Sequence, residues 1–290
     1  MSKCGGPVRL RCIVSRRIFN GIFQKHEKGF YYCSISGKLP GMRVSLKNIL
    51  LWAAVGLFGI VACSALIIYL GLPDVTGLKT KNPETTALMR QRYRSAQDAK
   101  KEFVFRQQWV AFGKIPKLLK DAVRVTEDAG FYQHEGVDFT ELKIAIKKNW
   151  EQGKYVRGAS TITQQLAKNL YLSTDKSIIR KLKEYIIARR LERHLQKNRI
   201  FSLYLNVIEF GPGVFGVQAA SQYYFNKDVS RLNLEEMVRL TAVIPKPLKE
   251  NPTRNSRWLI WKAGWILDAL RRYNYIHQWE YRAVKSRLQG

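Results

Sequence analysis

The sequence predicts a mostly α-helical domain behind a single membrane-spanning helix. Three observations carry that prediction. Residues 49–72 run 24 positions without a charge, and a helix of that length is about 36 Å long, enough to cross a bilayer with some tilt. Downstream, apolar residues recur at steps of three and four, the helical period, while alternating strand patterns are scarce. No internal repeat breaks the 290 residues, which leave room for one sizeable domain plus extras.

Residues 1–48 form a basic tail, with ten Lys or Arg against one acid, Glu27. That excess places the tail in the cytoplasm and the rest of the chain on the periplasmic side of the inner membrane. Residues 1–41 show no period, and Met42 opens a compact start. They are therefore either a cytoplasmic tail or sequence upstream of the true start. Ile60-Val-Ala-Cys63 resembles a lipoprotein cleavage box, yet the apolar run continues past it, which predicts an uncleaved, single-pass anchor over 49–72. Residues 73–110 read as an exposed, polar, membrane-proximal connector and jaw, basic enough to lie against headgroups.

The main domain is predicted over 111–290. Pro116 suits a first helical turn. Leu119, Val123 and Glu127 follow at steps of four, and Gly130 is a natural stop. Further helices are predicted over 177–196, 198–207 and 233–243. Residues 257–288 carry Trp, Tyr, Arg and Lys at loosely helical spacing.

A net charge of +28 points to a polyanionic partner. Nucleic acid, anionic lipid headgroups and a pyrophosphate substrate all fit that charge. The cysteines, Cys4, Cys12, Cys33 and Cys63, have no zinc-type spacing with histidine, so no protein metal site is expected. A thiol-free stretch after Cys63 suits an oxidising compartment.

Two carboxylates fall on core-facing stripes: Glu127 four residues after Val123, and Glu184 beside Ile187, Ala188 and Leu191. Such placement is costly unless the acid is paired or functional. Two acids in contrasting surroundings suit acid–base chemistry on sugars. An Arg180–Glu184 helical pair and a local cap at Glu127 would explain them equally. Lys168, Lys176, Arg180, Lys181 and Lys183 crowd around Glu184, either as a solvated helix face or as a seat for a diphosphate. His134 reads as a structural turn residue, and Ser160 has no partners for a nucleophilic triad. In GASTITQQLAKN, residues 158–169, Thr161 to Gln164 is a capping-box pattern that starts a helix near Ser160. Its N–H groups would form an anion-binding end, with Gln164, Gln165 and Lys168 one turn along; a simply capped helix is the competing reading.

EDAGFYQHEGVDF (127–139), GASTITQQLAKN, RKLKE (180–184), YLNVIEFG (204–211) and GVFGVQAASQYYF (213–225) occur in this order. Together they resemble the five motifs of the peptidoglycan glycosyltransferase family, over residues 115–252. The end at Gly290, with no transpeptidase domain, resembles a monofunctional member. The resemblance implies a lysozyme-like, mainly α fold with a membrane-embedded jaw. It implies polymerisation of lipid II into β-1,4-linked glycan with release of undecaprenyl diphosphate. Glu127 matches the general base and Glu184 the second essential acid. Lys168, Lys176, Arg180 and Lys183 match residues that steady the diphosphate, and Gly158, Ser160, Gln164 and Gln165 the sugar- and phosphate-contacting segment. Asp128, His134, Tyr204 and Asn206 match positions that hold the cleft together. Gly130 stands where many members carry a larger residue, which would loosen the loop after Glu127.

The implied partners are lipid II and the growing strand, membrane lipids, and proteins of cell-wall synthesis or division. Nucleic acid is not among them. No cofactor is implied beyond a divalent cation on the substrate's diphosphate. Two rivals remain at this stage. A lysozyme-type hydrolase or lytic transglycosylase would use similar acids without needing a cationic diphosphate seat. A non-enzymatic membrane-anchored scaffold would need neither acid.

Overall fold

A computed structural model describes residues 45–153, 158–175 and 177–289. The expectations for residues 1–41 and for Lys176 lie outside the described residues. Contacts divide the chain into two compact units, residues 1–64 and 65–290. Helix α1 (Leu46–Leu70) has the length and composition to cross a membrane, and its apolar side chains are exposed, as a lipid-facing helix requires.

The segment expected to be an exposed connector is instead partly core. Leu72, Val75 and Leu78 are buried, and helix α2 (Ala87–Asp98) buries Leu88 and Met89. The side chain of Thr86, itself fully buried, accepts from Met89 N–H and caps α2. This helix was hidden because it is polar over most of its surface. One buried ion pair anchors it: Arg92 grips Glu209 through Nε and Nη2 at 2.8 Å each, and the Glu209 side chain is only 3% exposed. Glu209 lies in a small three-stranded sheet in the order β1 (Arg106–Gln107), β3 (Val214–Phe215), β2 (Glu209–Gly211). The pairing is parallel for β1 with β3 and antiparallel for β2 with β3.

Helix α3 (Lys117–Glu127) follows Pro116, which stands at its N-cap. Leu119, Ala122 and Val123 are buried, so the expected stripe faces the core. Helix α4 (Phe139–Glu151) had no counterpart in the sequence reading. It buries only Ala145, while Phe139, Ile146 and Trp150 stay exposed. Helix α5 (Ile162–Tyr171) starts with the predicted capping box between Thr161 and Gln164. Helix α6 (Ile178–His194) buries Glu184, Ile187, Ala188 and Leu191 and exposes Ile178, Ile179, Leu182 and Tyr185. Helix α7 (Lys197–Val207) is nearly all buried.

Helix α8 (Val217–Phe225) had not been expected either; α9 (Leu234–Val243) has its own capping box from Asn233 and Glu236. The aromatic, basic C-terminal stretch divides into α10 (Arg257–Arg272) and α11 (Gln278–Gln289). Two packing groups result. Helix α5 packs chiefly on α2, α6 and α7, and α10 on α3, α9 and α11. Exposed apolar residues suited to a bilayer lie on α4 and the start of α6, and Tyr93, Val104 and Phe105 are exposed in the 73–110 segment.

Arg92→Met leaves the Glu209 carboxylate buried without a partner, which costs about 3–5 kcal/mol. Thermal unfolding followed by circular dichroism should show a marked fall in Tm. Adding Glu209→Gln should recover part of it.

Candidate active site

Glu127 is the last residue of α3, and the backbone leaves the helix at Asp128 (φ −165°, ψ 78°). The two adjacent acids therefore point to different tasks. The Asp128 side chain, almost fully buried, accepts the Ile162 N–H at 2.9 Å, at the first turn of α5. It also contacts His134 Nε2 at 2.9 Å. His134 Nδ1 accepts the Gly136 N–H at 3.2 Å, so the proton sits on Nε2 and is donated to Asp128. The anion-binding helix start predicted at α5 is thus real, but the anion is the protein's own Asp128. Thr161 Oγ1 donates to Gly136 O at 2.6 Å. Gly136 has φ +88°, and a Cβ there would press on Glu192 Cγ at 3.1 Å, so this turn needs glycine.

Gly130 does not loosen the loop as expected. A Cβ there would lie 2.9 Å from Asp138 Oδ2, and Gln133 N–H donates to Gly130 O at 2.7 Å, so the turn is closed around it.

Of the neighbouring glutamines, Gln164 had been expected to meet substrate. It is buried, and its Oε1 accepts the Thr161 N–H within the cap. Gln165 faces the cleft instead. Its Nε2 donates to Glu127 Oε2 at 2.9 Å, and its Oε1 accepts from the Tyr204 hydroxyl at 2.9 Å. That chain fixes the orientation of the amide, and the amide fixes Glu127. Tyr204 is fully buried, and its hydroxyl is held far from ionisation by that burial. Asn206 bridges Val110 through both its N–H and its carbonyl and donates to Ser202 O, tying α7 to the segment before α3.

Burial pushes the Glu127 carboxyl above the usual glutamate range; the Gln165 amide and the charges of Lys262 and Lys168 partly offset this, and Asp128 adds to it. Glu184 has the opposite setting. Its side chain, 4% exposed, pairs with Arg180 Nη1 at 2.6 Å and with Lys181 Nζ at 2.5 Å. Lys181 also donates to Ser160 Oγ at 3.1 Å, joining α6 to the glycine-led segment before α5. Gly158 and Ser160 are exposed there.

Lys168, three residues after Gln165 on the same face of α5, connects the two acids. Burial pulls its ammonium down, while Glu184 and then Glu127 push it back up. Lys168 is therefore within electrostatic reach of both carboxylates. Lys183, part of the predicted cluster, is partly buried on α6. Lys181 had been counted in the cationic cluster around Glu184 though not among the family-matched positions, whereas one residue had been left out altogether. Lys262 on α10 lies 135 positions after Glu127 and gave no sequence signal; it is withdrawn from water and coupled electrostatically to Glu127. Among the described residues no group of three His, Cys, Asp or Glu could hold a metal ion.

A family model described as Transglycosylase matches residues 96–271, more than half of the chain. The chain belongs to the transglycosylase family. It is accordingly a glycosyltransferase enzyme. Among its relatives is the biosynthetic peptidoglycan transglycosylase of Methylobacillus flagellatus, 46% identical over 192 residues, or 66% of this chain and 83% of that one. The protein of the same description from Laribacter hongkongensis is 41% identical over 198 residues, 68% of this chain and 86% of the other. A crystal structure of Penicillin-Binding Protein 1A from Haemophilus influenzae matches at 21% identity over 62% of this transglycosylase and 17% of that chain; its TM-score of 0.35 is too low to add to the assignment.

Burial that raises an acid's pKa disfavours folding once the acid ionises. The unfolded glutamate loses its proton near 4.5, the folded one at higher pH, so stability falls as pH rises between the two. Glu127→Gln should therefore be more stable than the parent at neutral pH, and equal to it below the ordinary carboxylate range. Tm measured against pH for both proteins tests this.

Proposed function

We propose that this transglycosylase polymerises lipid II into β-1,4-linked peptidoglycan strands, with Glu127 as general base. The observation that carries the reading is the contrast between two acids that both act on Lys168. Glu127 is set by a neutral amide and made more basic by burial, whereas Glu184 is saturated by two cations. A base near its working pH removes a proton most effectively.

The step balances as follows. The acceptor 4-hydroxyl oxygen forms a bond to the donor anomeric carbon from the face opposite the leaving group. The bond from that carbon to the diphosphate oxygen breaks, and undecaprenyl diphosphate leaves with the electron pair. The hydroxyl proton passes to Glu127. Lys168, Arg180 and Lys181 offset the negative charge that gathers on the departing diphosphate. Glu184 holds Arg180 and Lys181 in place. A divalent cation, where one assists, would ride on the substrate's diphosphate. Ser160 and Gly158 border this seat through the Lys181–Ser160 contact.

Placement follows from the anchor. Helix α1 and the exposed apolar residues of α4 and α6 suit work at a bilayer surface, and the ten basic residues ahead of the uncharged run 49–72 favour the periplasmic side for the domain. A lytic enzyme would have no leaving diphosphate for the cations around Glu184 to receive.

Glu127→Gln should lower polymer formation from labelled lipid II by at least about 100-fold, the scale of a lost general base, with membrane insertion retained. The rate of the parent should rise with pH through a midpoint above the ordinary glutamate value. Lys168→Ala should raise KM for the lipid donor more than it lowers kcat. Undiminished turnover by the Glu127 variant, or glycan fragments from intact sacculi in place of polymer, would refute the reading.

A further inference from the structure

Helix α10 buries Leu259, Ala263, Ile266, Leu267 and Leu270 against the core. Its other side carries Trp258, Trp261, Lys262 and Trp265, the i, i+3, i+4, i+7 spacing of one helical face. Three indoles share this face: Trp261 and Trp265 are 61% and 44% exposed, and Trp258 is half-buried. Two of the rings are pinned by cations. Lys246 Nζ lies 4.2 Å from the Trp258 ring centroid, and Lys262 Nζ lies 4.3 Å from that of Trp265. The ladder spans about 10 Å along the axis, long enough for a short run of pyranose rings laid end to end.

The face is continuous with the candidate active site. Lys262 stacks on Trp265 and also acts on the charge of Glu127. On the helical wheel Lys262 is the member of the stripe nearest the core, so the indoles lead outward from the base. A bilayer is the other natural occupant of exposed tryptophans. The apolar residues suited to one lie on α4 and α6, whereas α10 packs on α3, α9 and α11. Indoles with intervening ammonium groups suit sugar rings better. The electron-rich indole face meets the axial C–H groups of a pyranose, and the lysines meet hydroxyl, amide-carbonyl and carboxylate oxygens.

We propose that the exposed face of α10 is a track for a β-1,4-linked glycan strand, with Trp258, Trp261 and Trp265 as stacking platforms. This rests on the polymerase reading and extends it to the sugars beyond the reacting pair. A strand held there between additions dissociates less often, so the ladder lengthens the product.

The test uses the full chain in detergent micelles, carrying Glu127→Gln so that no turnover intervenes. A β-1,4-linked N-acetylglucosamine hexamer is titrated while tryptophan fluorescence and calorimetry are followed. Saturable binding is expected, weakened tenfold or more by Trp261→Ala with Trp265→Ala, and within a few-fold of the parent for Trp261→Phe. Thermal unfolding confirms that the variants fold. With Glu127 restored, the double alanine variant should make shorter strands from lipid II. Unchanged hexamer affinity in that variant overturns the proposal. So does shielding of these tryptophans from iodide by vesicles of phosphatidylethanolamine and phosphatidylglycerol, which would make the face a membrane contact. Ladder-dependent hexamer binding without any polymerisation of lipid II would sink the polymerase reading and leave the glycan track standing.

Discussion

The cleft depends on the hydrogen bond from the Ile162 N–H to Asp128. It joins the residue after Glu127 to the first turn of the helix that carries Gln165 and Lys168. A carboxylate at a helix start meets unpaired N–H groups and the positive end of the helix dipole. The contact therefore fixes the start of α5 in space. His134 holds the same carboxylate from the other side, with its tautomer set by Gly136, and Thr161 returns a hydrogen bond to Gly136. Glu127 is positioned by its neighbour's commitments. Once Asp128 is turned into the α5 cap, the preceding side chain is left facing Gln165.

Similar side chains acquire different chemistry from their surroundings. Glu184 is half of a local lattice of charge in which two cations sit on one anion. Replacing either cation would leave a buried carboxylate less well matched. Glu127 has one amide donor and only longer-range help from Lys168 and Lys262. Its proton affinity is therefore free to rise with burial. An amide partner serves better here than a lysine would: an ion pair at 2.9 Å would lower the pKa and weaken the base. Tyr204 completes the arrangement by fixing which end of the Gln165 amide faces the acid.

Much of this was legible in the residues, for physical reasons. The α5 cap, the α6 stripe bearing Glu184, and the α9 start all rest on spacing within one helix, which sequence displays directly. Helix α2 was not legible, because only Leu88 and Met89 face inward and the rest is polar. Helix α4 was missed for a different reason: Phe139, Leu142, Ile146 and Trp150 do share one helical face, but that face points outward and only Ala145 is buried. Gln164 and Gln165 look equivalent as letters. The cap register, not composition, decides that the first is buried and the second faces Glu127. Lys262 depends on tertiary packing of α10 against α3, and no local pattern reports that.

On the proposed reading, helix α6 would let one element serve a substrate that is half lipid and half sugar. Residues 178, 179 and 182 are apolar and exposed, while 180, 181 and 184 form the ion cluster. The two sets interleave in sequence and separate by face, since successive residues lie about 100° apart on a helix. A helix set at the edge of a bilayer would thus offer hydrocarbon to the lipid and positive charge to the layer where a diphosphate sits. The cations lose part of their hydration there, which strengthens their hold on an anion. Distance from the membrane then becomes part of substrate recognition. On that reading, a diphosphate brought in by a membrane-held lipid would meet Arg180 and Lys181 at the surface, whereas a soluble one would have to find them by diffusion.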